Sequence, residues 1–345
     1  MDRFDHGGDV YALPKMPLDF SVNTNPLGMP KPVLHALRGS VESFVRYPDP
    51  YCRELTAALA LHEGVPGEWI LCGNGAADLL YRLCYALRPR RALVCAPTFS
   101  EYGRALAQVG CQIEEHSLLP ENGFALTAAI GRQITPGLHL LFLCQPNNPT
   151  GRLIPQDVLS RVLSLAAQNG TYVVVDECFL DFTTAPSCKR FLREMPGLIV
   201  VKALTKTYAL AGLRLGYLLT SDAALRERVS MAGACWSVSV PAQTAGVAAL
   251  GCADWQERTR ALVAQERAFL AESLSALGIT VFPGDANFLL VRSEQPLYSP
   301  LLERGILVRS CASFAGLDES YTRVAVKTRQ ENMRLLQAVK EMNHG

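Results

Sequence analysis

The sequence has no cysteine pattern that predicts a disulfide framework or a zinc site. Its 11 cysteines are scattered over 345 residues without CxxC pairs and without a His/Cys ligand spacing. Scattered thiols of this kind are typical of reduced cysteines that serve as small core residues. We therefore expect no metal and a reducing, cytoplasmic location.

Long apolar runs and runs of one charge are also lacking. No stretch approaches the roughly 20 apolar residues needed to span a bilayer, and the opening MDRFDHGGDVYALPK has no apolar signal core. The 33 basic and 32 acidic residues give a formal net charge of +1. Neither a membrane nor nucleic acid is therefore expected as a partner. No GxGxxG follows a predicted strand, which argues against a dinucleotide-dependent dehydrogenase.

Hydrophobic residues are plentiful, at 49% of the chain, which is enough for a large core. From about residue 68 to 221, short apolar runs alternate with amphipathic segments, as in a layered α/β domain around a mostly parallel sheet. The strand candidates are EWILC, RALVCAP, LHLLFLCQP, TYVVVDE, LIVVKAL and LGYLLTS. Helical segments such as AADLLYRLCYAL and PQDVLSRVLSLAAQNG lie between them.

The pattern changes after about residue 240. A long charged amphipathic helix, ADWQERTRALVAQERAFLAESLSALG, precedes the strand candidates ITVFP, NFLLVRS, GILVRS and YTRVAVK. A capping box from Thr328 to Glu331 predicts the start of a last helix. We expect a large domain over residues 46–240 and a small α+β domain over 241–345. Residues 1–45, rich in Pro, Gly and Asn, are expected to form an arm on the small domain or on a partner subunit.

Polar groups follow five of the predicted strands. The segments are GNGAAD, TFSEY, QPNNPTG, DE and TK. In open α/β sheets, ligands bind beyond the carboxyl ends of the strands. These strand ends supply a glycine turn, an aromatic ring, an asparagine, a carboxylate and a lysine. Such groups are needed to hold a flat, phosphorylated, cationic heterocycle covalently.

Taken separately, each of these residues has an ordinary structural explanation. Asn148 can build a turn, Asp176 can cap a helix, and Lys206 can be a surface lysine beside a turn. Most glycine-bearing turns between a strand and a helix bind nothing, and a loop aromatic is more often part of the core. Only the combination and its order favour a common site.

In the order PNNPTG, VVDE and TKTYALAGLRLG, these motifs resemble those of the fold-type I enzymes that depend on pyridoxal 5′-phosphate (PLP), in the class I/II aminotransferase superfamily. The resemblance runs from NTNPLG near the start to RVAVKT near the end. It implies an α/β fold of type I, with a large domain around a mostly parallel mixed sheet and a smaller α+β domain. It also implies PLP as cofactor and a homodimer with a shared active site.

The resemblance also implies roles for individual residues. Lys206 would bind the cofactor as a Schiff base and move protons at the substrate Cα, and Asp176 would pair with the protonated pyridine nitrogen. Asn148 would bind the ring 3′-oxygen and Phe99 would stack on the ring. The implied phosphate contacts are Gly75, Ala76, Thr205, Arg214 and, from the partner subunit, Tyr47. The implied substrate contacts are Arg323, His6 and Asn25.

Two families in this superfamily share the motifs, namely threonine-phosphate decarboxylases and histidinol-phosphate aminotransferases. The opening HGGDVY with DFSVNTNPLG, and the segment RVAVKTRQEN, resemble the decarboxylases. Phe179 stands where these aminotransferases usually place a tyrosine. We therefore expect a PLP-dependent lyase that decarboxylates an O-phospho amino acid in cobalamin side-chain synthesis. The alternative is an aminotransferase that acts on histidinol phosphate or a related amine.

The sequence departs from the family pattern at two positions. Ala203 replaces a hydroxyl residue that helps to bind phosphate in many relatives, and Ala211 replaces a frequent proline. A non-catalytic regulator with the same fold is a further possibility, but such a protein would normally lack the lysine or the aspartate, or carry an added DNA-binding domain. This chain retains Lys206 and Asp176.

Overall fold

The computed structural model describes residues 6–11, 13 and 15–342. In this part of the chain the strands are β1 Leu18–Asp19, β2 Ile70–Gly73, β3 Arg91–Ala96, β4 Gln112–Ser117, β5 Leu140–Cys144, β6 Tyr172–Asp176, β7 Leu198–Ala203, β8 Gly216–Leu219, β9 Thr280–Val281, β10 Phe288–Arg292, β11 Ile306–Leu307, β12 Arg309–Ser310 and β13 Tyr321–Ala325. The helices are α1 Lys31–Gly39, α2 Arg53–Glu63, α3 Gly75–Leu87, α4 Ser100–Ala107, α5 Gln156–Gln168, α6 Leu204–Thr207, α7 Ala223–Met231, α8 Val240–Leu250, α9 Trp255–Ala276, α10 Tyr298–Glu303 and α11 Arg329–Met342.

A seven-stranded sheet forms the larger part of the fold. Its strand order is β2-β8-β7-β6-β5-β3-β4. The strands from β4 to β7 pair in parallel, whereas β8 is antiparallel to both β7 and β2. The predicted mostly parallel mixed sheet is therefore confirmed. Its register places Cys144 opposite Asp176 and Asp176 opposite Val201, so the polar residues that follow these strands meet at one edge.

Both faces of this sheet are covered, which explains the continuous apolar runs in the sequence. Along β6, Val173 and Val175 face one core and Val174 faces the other. Along β7, Val200 and Val201 alternate in the same way. The helices α2, α5 and α8 contribute to the first core, and α3, α4 and α7 contribute to the second.

The strand β4 was not among the sequence predictions. Its residues, QIEEHS, are mostly polar and partly exposed, and it pairs only with β3 at the edge of the sheet. Strand propensity reflects packing on a half-buried surface, so an edge strand with few apolar residues gives a weak signal. The strand is recognised only from its pairing with β3 in the structure.

The C-terminal region forms a four-stranded antiparallel sheet in the order β12-β13-β10-β9. The long helix α9 and the last helix α11 pack on it around a separate core. The predicted strand GILVRS is divided between two sheets, because β11 pairs in parallel with β1 whereas β12 pairs with β13. The N-terminal segment therefore docks on the C-terminal region through β1.

The division of the chain into domains stays a prediction. The helix α8 contacts α1 and α2, and Ala242 and Ala245 lie in the first core of the large sheet. This packing favours a boundary after Leu250 rather than at residue 240. At the start of α11, the Thr328 amide donates to Glu331 Oε2 (3.1 Å) and the Glu331 amide donates to Thr328 Oγ1 (3.4 Å), as the capping box predicts. Within the described ranges, no helix is long and apolar enough to cross a membrane.

Candidate active site

A cavity of about 430 Å³ opens at the carboxyl edge of the large sheet. Most of the predicted site residues meet there, and so do residues of the N-terminal segment and of the C-terminal sheet. The predicted residues that line it are His6, Ala76, Phe99, Asn148, Asp176, Thr205, Lys206, Arg214 and Arg323. In the described part of the chain, no group of three or more His, Cys, Asp and Glu residues is placed to hold a metal ion.

Lys206 lies in α6, a helix of only four residues that directly follows β7. Burial, together with the positive charges of Arg323 and Arg214, lowers the pKa of its amine to about 8. A lysine with this pKa is largely neutral under mildly alkaline conditions. It is therefore a nucleophile suited to forming a covalent bond with a carbonyl group.

Lys202, four residues earlier on β7, is held in the opposite protonation state. Its Nζ lies 2.7 Å from Glu63 Oε1 and 3.6 Å from Asp181 Oδ1. Burial by itself would lower the pKa of this lysine, but the nearby carboxylates outweigh burial and raise it. Of these two lysines, only Lys206 has the environment of a nucleophile.

Asp176 ends β6 with its carboxylate beside the cavity and only 5% of the residue exposed. Its Oδ2 accepts the hydroxyl of Tyr102 (2.8 Å) and its Oδ1 accepts the Cys178 amide (3.0 Å). Burial raises the pKa of this carboxyl, and no lysine, arginine or histidine of the described residues forms an ion pair with it. A buried carboxylate with only neutral partners is costly unless a cation occupies the adjoining space. The protonated ring nitrogen of PLP fits this requirement.

Two glycines bring an arginine close to the start of α3. Gly75 has a φ of +82°, and a Cβ there would lie 2.8 Å from Arg214 Nη2. A Cβ on Gly216 would lie 2.5 Å from the Ala76 nitrogen. The missing Cβ of Gly75 thus leaves room for the Arg214 guanidinium, and that of Gly216 lets β8 approach the N-terminus of α3. Amides and a guanidinium together suit a phosphate, so this end of the cavity fits the phosphate of PLP.

Phe99 and Thr205 complete the predicted cofactor set. Phe99 lines the cavity and meets the Tyr102 ring edge-on, with the ring centroids 5.6 Å apart. The Thr205 hydroxyl donates to the Leu215 carbonyl over 3.3 Å. The structure therefore brings both side chains to the cavity where the resemblance expects them, while their contacts with the cofactor stay predictions.

Arg323 lies on β13 and is buried against the cavity. Its Nη1 donates to Asn148 Oδ1 (2.5 Å) and its Nη2 donates to the Ser21 carbonyl (2.6 Å). Within the described residues, its Nε has no hydrogen-bond partner and no carboxylate forms an ion pair with it. Burial lowers the pKa of this guanidinium to about 10. A buried cation without an acidic partner can bind an anionic group of a substrate.

His6 stands at the mouth of the cavity. Its Nε2 lies 2.8 Å from Glu101 Oε1, and the hydrogen bond from His6 contributes most to lowering the pKa of Glu101. Glu101 also accepts the hydroxyl of Tyr81 (2.8 Å). The predicted contact of His6 with substrate stays a prediction, since its ring nitrogen is engaged with this carboxylate.

Asn25 and Tyr47 do not line the cavity. Asn25 is buried, and its Nδ2 donates to the Thr207 carbonyl and to Thr259 Oγ1, both at 2.7 Å. The prediction that Asn25 contacts substrate gains no support from this placement. Tyr47 is 80% exposed, with its ring 4.7 Å from that of Trp236. The predicted reach of Tyr47 to the site of a partner subunit stays a prediction.

The sequence did not single out several residues that line the cavity. Arg309 on β12 is in register with Arg323 on β13, so the sheet brings two guanidinium groups to one wall. Asn23 is buried at the same cavity, with its Oδ1 unpartnered within the described residues. This wall forms because β12 pairs with β13, and the sequence of either strand alone does not indicate that pairing.

Comparisons with a family model and with individual known proteins agree on one protein family. The chain matches the family described as aminotransferase class I and II over residues 15–339. It is 42% identical to a threonine-phosphate decarboxylase of Salmonella typhimurium, over 99% of this chain and 97% of that protein. It is 35% identical to a histidinol-phosphate aminotransferase of Desulfitobacterium hafniense, over 93% of this chain and 90% of that protein.

Among solved structures, the fold is similar to that of the histidinol-phosphate aminotransferase from Clostridium acetobutylicum. The TM-score is 0.89 at 28% identity, covering 95% of this chain and 99% of that one. The match extends over both sheets, so the large and the C-terminal sheet occur together in that enzyme as well.

Proposed function

The chain belongs to the class I and II aminotransferase family, and on that premise we propose that it is a PLP-dependent lyase that decarboxylates an O-phospho amino acid. This is the activity in the name of its relative from Salmonella typhimurium, and threonine phosphate is the first substrate to test. The observation that carries the proposal is the pair of arginines, Arg309 and Arg323, on one wall of the cavity. A substrate with both a carboxylate and a phosphate needs two cationic contacts.

PLP supplies an electron sink for the electron pair that remains when a bond at the substrate Cα breaks. The site geometry and the family resemblance together support the following assignment of the residues that would hold it. Lys206 would bind its aldehyde carbon, and Asp176 would stabilise the positive charge on its ring nitrogen. The remaining contacts in this proposal are Gly75, Ala76, Thr205 and Arg214 for the phosphate, Asn148 for the 3′-oxygen and Phe99 for the ring face.

The protein decides which bond at Cα breaks by fixing the rotation of the substrate. Only a bond perpendicular to the conjugated ring can break easily, since its electrons must overlap the π system. Arg309 and Arg323 would each hold one anionic group and place the Cα–carboxylate bond in that direction. Lys206, in its protonated ammonium form, would then donate a proton to Cα, which has lost CO₂, and would become a neutral amine. In this proposal, the cofactor, the two arginines that hold the substrate and the proton donor thus meet in one cavity.

The alternative activity is transamination of histidinol phosphate. The 35% identity to the aminotransferase of Desulfitobacterium hafniense favours it. Phe179 argues against it. These aminotransferases usually have a tyrosine at this position, whose hydroxyl can donate a hydrogen bond, whereas Phe179 is buried, lines the cavity and can donate none. Its ring packs edge-on against Phe288 at 5.0 Å, so this part of the wall is apolar.

We expect the full chain loaded with PLP to release CO₂ from O-phospho-L-threonine without any 2-oxo acid. L-Threonine should be turned over more slowly as well as bound more weakly, since the remote phosphate helps to fix the reacting bond. The measurements are CO₂ release and the amine product, followed separately. Arg323→Ala should lose the activity, whereas Arg292→Ala, at an exposed residue, should keep it.

A different pair of results would favour the alternative activity. Glutamate formation from histidinol phosphate and 2-oxoglutarate, with O-phospho-L-threonine inert, would establish the aminotransferase and reject the decarboxylase.

We also propose a homodimer with a shared active site, in the cytoplasm. Exposed apolar side chains cluster in the segment of residues 44–51 and at Trp236, whose ring contacts Tyr47. Surface clusters of large apolar residues are typical of protein interfaces. The cysteines are free thiols, which fits a reducing compartment.

Tyr47→Phe tests the shared site. If Tyr47 binds the phosphate of PLP in the partner subunit, loss of its hydroxyl should weaken cofactor binding by about 1 kcal/mol, the value of one hydrogen bond. PLP dissociation constants from equilibrium dialysis measure this. Tyr51→Phe, at a similarly exposed residue, serves as the matched control. Equal PLP affinity of Tyr47→Phe and the wild type would remove Tyr47 from the site.

A further inference from the structure

The helix α6, which carries Lys206, is too short to satisfy its own carbonyl groups. The last four C=O groups of a helix have no partner within it, and α6 has only four residues. The Lys206 carbonyl accepts the backbone amide of Asn25 (3.0 Å). The Thr207 carbonyl accepts Asn25 Nδ2 (2.7 Å) and Trp255 Nε1 (3.0 Å). Groups distant in sequence therefore complete the C-terminal end of this helix.

Asn25 is itself held rigidly. It is buried, and its Oδ1 accepts the Leu27 amide at 2.9 Å. Its Nδ2 also donates to Thr259 Oγ1, on α9, at 2.7 Å. Each side-chain polar atom of Asn25 thus has a partner in the protein, and one of these partners is the segment that carries Lys206.

The helix α9 supports the same segment from a second direction. Trp255 begins this helix, and Arg260, five residues further, donates from Nε to the Asp181 carbonyl (3.0 Å). Asp181 Oδ2 in turn accepts the hydroxyl of Thr207 (3.1 Å). The peptide units of Lys206 and Thr207 are therefore fixed by the N-terminal segment, by α9 and by the loop after β6.

We propose that Asn25 and Trp255 are positioning residues for Lys206, because their donors cap the helix that presents this lysine to the cavity. The proposal rests on the proposed role of Lys206 as the reacting amine. Neither residue lines the cavity, so both act through the backbone. Loss of a cap would let the last turn of α6 fray, and a misplacement of about 1 Å can cost about a hundredfold in rate.

Three variants separate capping from packing. Asn25→Leu keeps the size of the side chain and removes its donors, while Trp255→Phe removes the indole N–H. Thr259→Val is the matched control, because it removes the other partner of Asn25 Nδ2 but leaves both bonds to the Thr207 carbonyl. The cap proposal predicts an effect for the first two variants and none for the third.

The first measurement needs neither cofactor nor substrate. The full chain freed of PLP is treated with acetic anhydride over a range of pH, and the labelling of Lys206 is followed by peptide mass spectrometry. A frayed helix exposes the amine to water, so its labelling midpoint should rise by roughly one pH unit toward that of an ordinary lysine. The exposed Lys340 is the reference for reagent reactivity, and the ion-paired Lys202 reports any general opening of the fold.

The second measurement is turnover per bound cofactor. The two cap variants should lose about a hundredfold in kcat at nearly unchanged KM, because neither residue lines the cavity. Cap variants with a wild-type labelling midpoint and only a lower unfolding temperature would overturn the proposal. An equal shift in Thr259→Val would also overturn it, since docking of α9 would then explain the effect.

The proposal can fail or succeed apart from the proposed function. If no decarboxylation is found, the labelling midpoint still decides the role of Asn25, because it is measured without substrate. If Asn25→Leu gives no folded protein, Trp255→Phe decides alone.

Discussion

Lys206→Ala is expected to give a folded protein that has lost both the visible absorbance of bound PLP and all measurable turnover. Lys206 is a partly buried lysine at the cavity, and its pKa is lowered to about 8. Lys202 cannot replace it, because its amine is held by Glu63 and Asp181. Alanine removes the amine and adds no bulk to the site, so the fold should persist.

Absorbance spectra, borohydride reduction and peptide mapping test this prediction. In the wild type, the reduced cofactor should be attached to the peptide that contains Lys206. Lys340→Ala, at an exposed lysine of α11, should behave like the wild type. A covalent adduct that still forms in Lys206→Ala would assign the cofactor to another lysine.

Asp176→Asn is expected to keep the fold and to slow turnover by about a hundredfold or more, the usual effect of removing a preorganised electrostatic group. Asparagine has the same shape but carries no charge to stabilise a protonated ring nitrogen. Because the carboxylate is buried with neutral partners only, its replacement costs the fold little. The measurements are kcat per bound PLP and the unfolding temperature.

Tyr102→Phe is the matched control for this substitution. It removes the hydrogen bond from the neutral Tyr102 hydroxyl to Asp176 Oδ2 but leaves the charge of Asp176 in place. Its cost should be close to that of one hydrogen bond, about 1 kcal/mol or roughly a fivefold change. Near-normal turnover in Asp176→Asn would show that some other group supplies the charge.

The sequence was most informative where a predicted site residue lies at or just beyond the carboxyl end of a buried strand. Asp176 is the last residue of β6, and Asn148 and Lys206 come shortly after β5 and β7. These parallel strands have clear apolar runs and end at one edge. Their meeting at one cavity was therefore predictable. The mostly parallel sheet followed from the same runs, because strands covered on both faces are apolar throughout.

The sequence was least informative where a contact depends on strand pairing or on chain segments far apart. Arg309 joins the cavity only because β12 pairs with β13, and this pairing is not visible in either segment. Asn25 is predicted to contact substrate, and the structure shows its Nδ2 donating to the Thr207 carbonyl, a contact that its motif does not indicate. A sequence motif can point to a candidate functional residue, whereas the groups that this residue contacts depend on the tertiary packing around it.

The contact between Ser21 and Arg323 joins residues 302 positions apart. During synthesis on a ribosome, the large sheet and Lys206 are complete well before Arg309 and Arg323 leave the exit tunnel. The contact between Ser21 and Arg323 can form only after both residues have been synthesised. If Arg309 and Arg323 hold the substrate as proposed, a nascent chain can therefore possess the proposed cofactor-binding residues before the wall that selects a substrate. Under this proposal, selectivity would be the last property that the chain acquires during its own biosynthesis.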